Sequence, residues 1–373
     1  MGYGEVTAPP YDTLTDDEKD ILLKNPYNIL HLTRSGSTGE CRKNLEKWIH
    51  EGILKGVEKD SLIILRQRYT YEGSFYERVG VIGTVNVDDP LNKMIEHEGT
   101  IPEFVEERKS HIMNLGAQTE PVFTVISSSS LHSILQKIMI KKGCSSSYEE
   151  PKGLWNDICI LSEKDEIQKI KDEIEGKTPI IADGHHRYNA MKKISAETGG
   201  SISRMLVYIT SLESEATRIG EVHRIFPIWD GFEGDLRKYY EMRKFSGDGK
   251  IPAPAFVCKS NVVELRKKEE FKNRDDLYII ESFLKENLGG EKIQIEYTSS
   301  MEKVMERVEG DPGIGAIIMP VWKKEKFRGL LESGKLLPPK STYFYPKIPS
   351  GIAFYRMEDS ACHCSSGGRA ADS

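Results

Sequence analysis

Apolar and polar positions alternate with two different periods along the first two thirds of the chain, and these periods predict strands and helices in turn. Two period-two runs, Leu62–Tyr71 and Phe75–Val87, are joined by Glu72-Gly73-Ser74, which predicts a β-hairpin. Further strands are predicted at Ile29–Leu32, Glu120–Ile126, Leu154–Leu161, Pro179–Ala182 and Arg204–Thr210. Helices are predicted from Thr15 to about Asn25, and at Glu40–His50, Glu103–Met113, Leu131–Ile140 and Lys164–Glu173. This alternation predicts an α/β or α+β fold.

A second block of strands and helices runs from about Gly231 to Phe344 and predicts a smaller C-terminal α/β subdomain. Its helices are predicted at Asp235–Arg243, Leu277–Asn287 and Met301–Arg307, and its strands at Ala255–Cys258, Ile293–Tyr297 and Gly315–Met319. We therefore expect a core over residues 1–230 and a subdomain over 231–357 that returns to the core through 338–357. The Ser/Gly/Ala-rich tail, 358–373, is predicted to be disordered.

The stretch Thr178–Met191 carries the most distinctive chemistry. An apolar strand ends at a turn, Asp183-Gly184, and a helix then runs to about Glu197, where Gly199-Gly200 ends it. A helix N-terminus offers backbone N–H groups and a partial positive charge, so it favours anions, phosphate above all. The side chains of His185, His186 and Arg187 would add up to three cations to this first turn. The alternative is an ordinary strand–turn–helix in which Asp183 caps the helix and the histidines are solvated.

Other polar clusters could complete such a site, although each has an ordinary alternative. These alternatives are turn chemistry, a solvated loop acid, a surface pair, and a surface-crossing strand with aromatic packing. The clusters are Tyr11-Asp12 with Asn25 and Asn28, His97-Glu98, His223-Arg224, and the segment Lys340–Lys347. We expect His97-Glu98, His223-Arg224 and Lys340–Tyr343 to converge on the helix that follows Asp183.

Charge and composition exclude several classes of protein. The net charge of −6 and the pI of about 5.9 leave no basic footprint for nucleic acid. No apolar run approaches the ~20 residues of a membrane-spanning helix. The six cysteines lack zinc-ribbon spacing, and scattered thiols are typical of a reducing compartment, so we expect a cytoplasmic protein. A soluble enzyme or binding protein for small molecules is the class that remains.

Five ordered motifs resemble the family known as domain of unknown function 1015. They are APPYD at Ala8–Asp12, NPYNI at Asn25–Ile29, HE at His97-Glu98, ADGHHRY at Ala182–Tyr188 and KSTYFYPK at Lys340–Lys347. The resemblance extends from about residue 7 to residue 357. The family name itself implies no activity.

A more distant resemblance implies chemistry. The order His-Glu, helix, Pro-apolar strand and Asp-Gly-His-His-Arg is similar to ParB/sulfiredoxin-fold proteins, and among them to the free serine kinases. The resemblance implies a ParB/sulfiredoxin-like core with an insertion at about 127–175, which fills the longer connection before Asp183. It also implies Glu98 as the base toward a hydroxyl group, and nucleotide phosphates and a metal ion at the start of the helix.

Together, the motifs and the resemblance give each residue an expected role. The catalytic residues are Glu98, Asp183 and His186. The nucleotide and its phosphates are bound by Gly184, His185, Arg187, His223, Arg224, Lys340, Ser341 and Thr342. The substrate is bound by Tyr11, Asp12, Asn28, His97 and Tyr343, and Asp183 binds Mg²⁺.

The expected function is a kinase that uses ATP or ADP to phosphorylate a small hydroxylated metabolite, with free serine as the first candidate. No P-loop GxxxxGK[ST] and no kinase Gly-rich loop is present, so classical nucleotide folds are not expected. Two alternatives remain open: a ParB-like nucleotide-binding switch and a non-catalytic binding protein. The acceptor, the nucleotide and the oligomeric state are left undetermined.

Overall fold

The computed structural model describes residues 2–10, 13–33, 38–57, 60–150, 153–247, 249–259, 261–288 and 295–357. Two predictions lie outside these residues: the substrate role of Tyr11 and Asp12, and the disordered tail. The chain divides into two compact units, one formed by residues up to 218 together with those from 346 onward, and the other by 219–345. The sequence placed this division at 230/231.

The helices and strands follow one another through both units. Up to residue 218 they are α1 Tyr3–Val6, α2 Asp16–Leu23, α3 Leu30–Thr33, α4 Thr38–His50, β1 Leu62–Tyr71, β2 Ser74–Asn86, α5 Pro102–Leu115, β3 Ala117–Gln118, β4 Val122–Ile126, α6 Leu131–Lys142, β5 Ser146–Glu150, β6 Leu154–Leu161, α7 Lys164–Ile174, β7 Ile180–Asp183, α8 His185–Glu197 and β8 Arg204–Ser211. Strand β9, Arg218–Gly220, begins at the last residue before the boundary. The second unit then contains β10 His223–Pro227, α9 Phe232–Leu236, β11 Tyr240–Phe245, β12 Ala255–Cys258, β13 Asn261–Lys267, α10 Asp276–Leu288, β14 Glu296–Thr298, α11 Met301–Gly310, β15 Ile314–Ile318, α12 Lys324–Ser333 and β16 Tyr343–Tyr345. Strand β17, Tyr355–Arg356, returns to the first unit.

The first unit is built on a seven-stranded sheet in the order β5-β6-β1-β2-β8-β4-β7. Its pairs are antiparallel except β4 with β8. The β1–β2 hairpin turns at Glu72-Gly73, and both residues have positive φ, as a two-residue turn between twisted strands requires. The segment predicted as an insertion supplies the strands β5 and β6 at one edge of this sheet. The α/β fold class is therefore confirmed.

One face of this sheet forms the main hydrophobic core. Strand residues such as Ile64, Val81 and Val207 pack there against α6, α7 and α8, represented by Leu135 and Met191. A separate apolar cluster joins the N-terminal helices. Within the described residues, no helix is both long enough and apolar enough to cross a membrane.

The second unit has a six-stranded antiparallel sheet in the order β11-β13-β12-β15-β10-β14. Its two faces bury different helices: Phe226 packs with Phe283 of α10, whereas the neighbouring Ile225 packs with Val304 of α11. The alternation along β10 therefore gives the sheet a helix on each face.

Two element predictions were wrong. Ile29–Leu32, predicted as a strand, contributes to helix α3, and Asn28 begins that turn by accepting a hydrogen bond from Leu30 N on Oδ1 (3.1 Å). Asp235–Arg243, predicted as a helix, ends the short helix α9 and then enters strand β11, which pairs with β13. Tertiary pairing overrides local propensity in so short a segment.

Candidate functional site

Strand β7 brings the Asp183 motif next to the His97-Glu98 loop. Ile95 pairs with β7 through two backbone hydrogen bonds, from Ile95 N to Pro179 O (2.8 Å) and from Ile181 N to Ile95 O (3.0 Å). The chain that follows Ile95 consequently lies beside the end of β7. The sequence could not show this bridge, because it joins segments more than 80 residues apart.

Helix α8 begins at Gly184, whose φ of 97° lies in the left-handed region that favours glycine. The N-cap residue is Gly184, which has no side chain to accept a hydrogen bond from the first turn. The first helical hydrogen bond runs from Tyr188 N to Gly184 O (2.9 Å). The N–H groups of residues 185–187 therefore have no partner within the helix and point toward its N-terminal end.

The carboxylate of Asp183 is held between two cations. Arg187 Nη2 donates to Asp183 Oδ2 at 2.7 Å, and Lys347 Nζ contacts Asp183 Oδ1. Arg187 also donates to Pro121 O at 2.6 Å, and its Nη1 lies 3.6 Å from Glu120 Oε2. Both cations are mostly buried, so the charge of Asp183 is balanced in a partly dry environment.

His185 is buried against His97, with the two ring centroids 4.7 Å apart in an edge-to-face arrangement. Burial, and then the neighbouring His97, lower the pKa of His185 to about 3. The ring is therefore neutral at pH 7, and the prediction of three cations at this helix start is wrong for His185. The charges of Glu98, Asp183 and His186 also act on its pKa, so all of these groups share one small region.

Glu98 lies beside His97, and the Glu98 Oε1 to His97 Nε2 distance is 3.6 Å. The Glu98 side chain is 11% exposed, so its carboxylate is largely shielded from water but still accessible to a bound molecule. His186 Nε2 accepts a hydrogen bond from Ile101 N (3.1 Å), and its ring packs edge-to-face on Phe104. His186 thus connects the segment that follows Glu98 to α8, through this hydrogen bond and ring contact.

Comparison with known proteins identifies the family. Residues 2–283 match the family described as "Protein of unknown function (DUF1015)". The chain belongs to the DUF1015 family. No curated protein matches this DUF1015 chain.

Several solved structures are similar to this DUF1015 chain at low sequence identity. A conserved hypothetical protein from Pyrococcus furiosus has 16% identity and a TM-score of 0.43, over 74% of this chain and 96% of its own. A free serine kinase in complex with AMP has 15% identity and a TM-score of 0.43, over 74% and 92%. SbnI from Staphylococcus aureus, with a C-terminal truncation, has 11% identity and a TM-score of 0.43, over 72% and 85%.

The other predicted site residues of this DUF1015 chain have partners of their own. Asn28 is fully buried and donates from Nδ2 to Glu5 O (3.1 Å) and Thr7 O (3.0 Å). The hydrogen bonds that its side-chain amide donates are therefore to backbone oxygens. Its role toward a substrate stays a prediction. So do the roles of Lys340, Ser341, Thr342 and Tyr343, which belong to the second unit.

His223 and Arg224 also belong to the second unit, and neither is a surface residue. Burial lowers the pKa of His223 to about 4, and its Nδ1 accepts from Met319 N at 3.2 Å. Arg224 forms a buried ion pair with Glu281, with Nη2 to Oε1 at 2.8 Å. The His223-Arg224 cluster thus includes a neutral histidine, and its role toward phosphate stays a prediction.

Sequence reasoning missed several residues of the Asp183 region. Lys347 lies in the KSTYFYPK segment, whose two lysines were a signal, but Lys340 was chosen instead. Ser350 Oγ donates to Glu120 Oε1 (2.5 Å), and Asn189 Nδ2 donates to Glu96 Oε2 (2.5 Å). These bonds tie the returning chain and the loop before His97 to the site.

The donors available for a metal ion are few. Among the residues that the structure describes, no group of three or more His, Cys, Asp or Glu side chains is arranged to hold a metal. Zinc is usually held by three or four such side chains, so these described residues do not suit zinc. Mg²⁺, by contrast, commonly uses one or two carboxylates together with substrate phosphates. Asp183 fits that second pattern as a single carboxylate donor.

Proposed function

We propose that this protein is a nucleotide-dependent small-molecule kinase that transfers a phosphoryl group from ATP or ADP to the hydroxyl of a metabolite. The observation that carries the proposal is the arrangement at the start of α8. There the helix N-terminus at Gly184, a carboxylate between two cations and the carboxylate of Glu98 lie in one small region.

The N-terminus of α8 is the proposed phosphate site. Its N–H groups and dipole favour a phosphate, and His185, being neutral, would contribute an N–H donor and no charge. Arg187 and Lys347 balance Asp183 in the protein alone. On binding of a magnesium–nucleotide complex, these two cations would turn from Asp183 to phosphate oxygens, which carry the charge that phosphoryl transfer must stabilise.

Asp183 would then hold Mg²⁺, as the donor set allows. The ion would neutralise the phosphate oxygens. Gly184 leaves room for the Arg187 guanidinium beside the start of the helix because it has no side chain. An ideal Cβ at Gly184 would lie 3.0 Å from Arg187 Nη2.

Glu98 is the proposed general base. It would take the proton of the substrate hydroxyl as that oxygen bonds to the terminal phosphorus, while the bond from this phosphorus to the bridging oxygen breaks and the shortened nucleotide leaves. His97 packs beside Glu98 and would keep its carboxylate in place. Free serine is the first candidate for the acceptor, through the resemblance to the serine kinases.

The test is Glu98→Gln, compared with the matched control Glu103→Gln. Glu103 is an exposed acid in the first turn of α5, five residues along the chain. Glu98→Gln is expected to lower the rate of phosphoryl transfer by ~10²–10⁴ and to leave nucleotide affinity nearly unchanged, which is the usual result of removing a base. Glu103→Gln is expected to keep both.

The measurements are isothermal calorimetry with magnesium–ATP and magnesium–ADP, and transfer of labelled phosphate to a panel of hydroxylated metabolites. Full activity of Glu98→Gln would exclude Glu98 as the base. Nucleotide binding without transfer to any acceptor would favour the nucleotide-binding switch or the non-catalytic binder.

A further inference from the structure

Three buried polar side chains form a row across the face of the seven-stranded sheet opposite its main hydrophobic core. Asn156 on β6, Gln67 on β1 and Arg78 on β2 face one another in register across the antiparallel pairs. Each is fully buried. Buried polar groups are costly unless they are hydrogen-bonded, so their bonding partners indicate what the row does.

The row bonds to the chain that returns to the first unit. Gln67 Nε2 donates to Asn156 Oδ1 (3.1 Å) and to the backbone oxygen of Lys347 (3.0 Å). Arg78 Nη2 donates to Gln67 Oε1 and to the backbone oxygen of Pro346. Two successive carbonyls are therefore held by side chains of the sheet, immediately next to the lysine that contacts Asp183.

The same row is itself fixed on both sides. Asn156 Nδ2 donates to Glu150 Oε1 at 2.5 Å, at the β5 edge. The Arg78 guanidinium lies over the ring of Phe123 at 4.6 Å, and Phe123 pairs in register with Asp183. The row thus spans the sheet from its outer edge to the strand next to the proposed phosphate site.

We infer that Gln67, Arg78 and Asn156 are positioning residues that hold the Pro346–Lys347 backbone so that the Lys347 ammonium meets Asp183. An apolar row of the same volume would fill this face without the cost of burying amides and a guanidinium. The polar row therefore serves to orient the Pro346–Lys347 backbone to which it is hydrogen-bonded. For the role of Lys347 toward phosphate, the inference rests on the proposed function. The placement of Lys347 can be tested without it.

The experiment measures how fast Lys347 reacts with an N-hydroxysuccinimide ester in the folded protein, by peptide mass spectrometry, with the exposed Lys141 as internal reference. The Lys347 side chain is 11% exposed and that of Lys141 is 76% exposed. Gln67→Met keeps the length of the side chain and removes all of its bonds. Gln67→Glu keeps an acceptor for Arg78 but lacks the amide donors. It is the variant to label if Gln67→Met fails to fold.

The matched control is Thr124→Val on β4. Thr124 is also fully buried and donates a hydrogen bond to Tyr208 O (3.0 Å), and its strand partners Ile209 and Ile181 belong to the main core, on the face opposite the row. Either Gln67 variant is expected to raise the labelling rate of Lys347 about fivefold, the change that loss of one net hydrogen bond gives. The control is expected to leave that rate unchanged.

Binding of magnesium–ATP is measured by calorimetry on the same proteins. Faster labelling with weaker nucleotide binding supports both the positioning role and the proposed function. Faster labelling in a protein whose unsubstituted form binds no nucleotide supports the positioning role and removes the function. Labelling of Lys347 at the unsubstituted rate in both Gln67 variants overturns the inference.

Discussion

Glu150 gives a pH-dependent contribution to stability that can be worked out from its surroundings. The carboxyl group is mostly buried at the end of β5, and burial raises its pKa from 4.5 to about 7, although the bond from Asn156 opposes this. One pKa unit corresponds to about 1.4 kcal/mol, so the ionised carboxylate costs the fold about 3 kcal/mol.

The direction of the effect follows from the two pKa values. Below pH 4.5 the group is protonated in both the folded and the unfolded states, and there is no penalty. As the pH rises from 4.5 to 7, only the unfolded state ionises, so the free energy of unfolding falls, and above pH 7 the full penalty is present. Glu150→Gln keeps an oxygen for Asn156 and removes this penalty.

The expected result is therefore a stabilisation by Glu150→Gln that is near zero at pH 4.5 and reaches about 3 kcal/mol at pH 8. Because the chain has two units, a single global transition is not assumed. Urea titrations should be read by pulsed hydrogen exchange of peptides from β1 and β6, which report on the first unit alone. Glu149→Gln, an exposed neighbour, is the control.

A stability difference that does not change between pH 4.5 and pH 8 would refute this reasoning. So would a control that shows the same pH dependence as Glu150→Gln. The first result would mean that Glu150 ionises in the folded protein as easily as in the unfolded chain, and the second that the pH dependence does not come from burial of Glu150.

Three further predictions concern packing, a buried ion pair and the phosphate site. Gly80→Ala would place a Cβ 2.2 Å from Tyr208 Cζ and should cost about 1–3 kcal/mol or more, so an unchanged melting temperature would contradict this close packing. Glu281→Gln should destabilise the second unit by about 3–5 kcal/mol because Arg224 is left buried and unbalanced; hydrogen exchange of β10 that remains as slow as in the unsubstituted protein would argue against it. Arg187→Ala should weaken magnesium–ATP binding by about 1–3 kcal/mol, measured by calorimetry, and equal affinity would exclude Arg187 from the phosphate site.

Features with local signals could be predicted from the sequence. The β1–β2 hairpin was marked by Glu72-Gly73, and helix α8 by its glycine-rich end at Gly199-Gly200, both of which have positive φ. The core of the site, from Asp183 to Arg187, was visible for the same reason, since its residues are contiguous. His97 and Glu98 were found as a polar pair and through the family resemblance, and the pairing of Ile95 with β7 explains why they lie beside the start of α8.

Features that depend on distant partners could not be predicted. Strand β11 forms because Tyr240–Phe245 pairs with Asn261–Lys267, and the latter strand was not predicted at all. The neutral state of His185 depends on burial against His97, which no pattern of residues shows. Lys347 was missed because its ion pair with Asp183 joins residues 164 positions apart.

That separation between Asp183 and Lys347 has a consequence for synthesis of the protein. A ribosome adds about 5–20 residues each second, so Lys347 is made roughly 10–30 s after Asp183, and the whole second unit is translated in between. During this interval the nascent chain carries Asp183 and Arg187 without the second cation. The ion pairs of Asp183 are therefore completed only after all residues of the second unit have been synthesised.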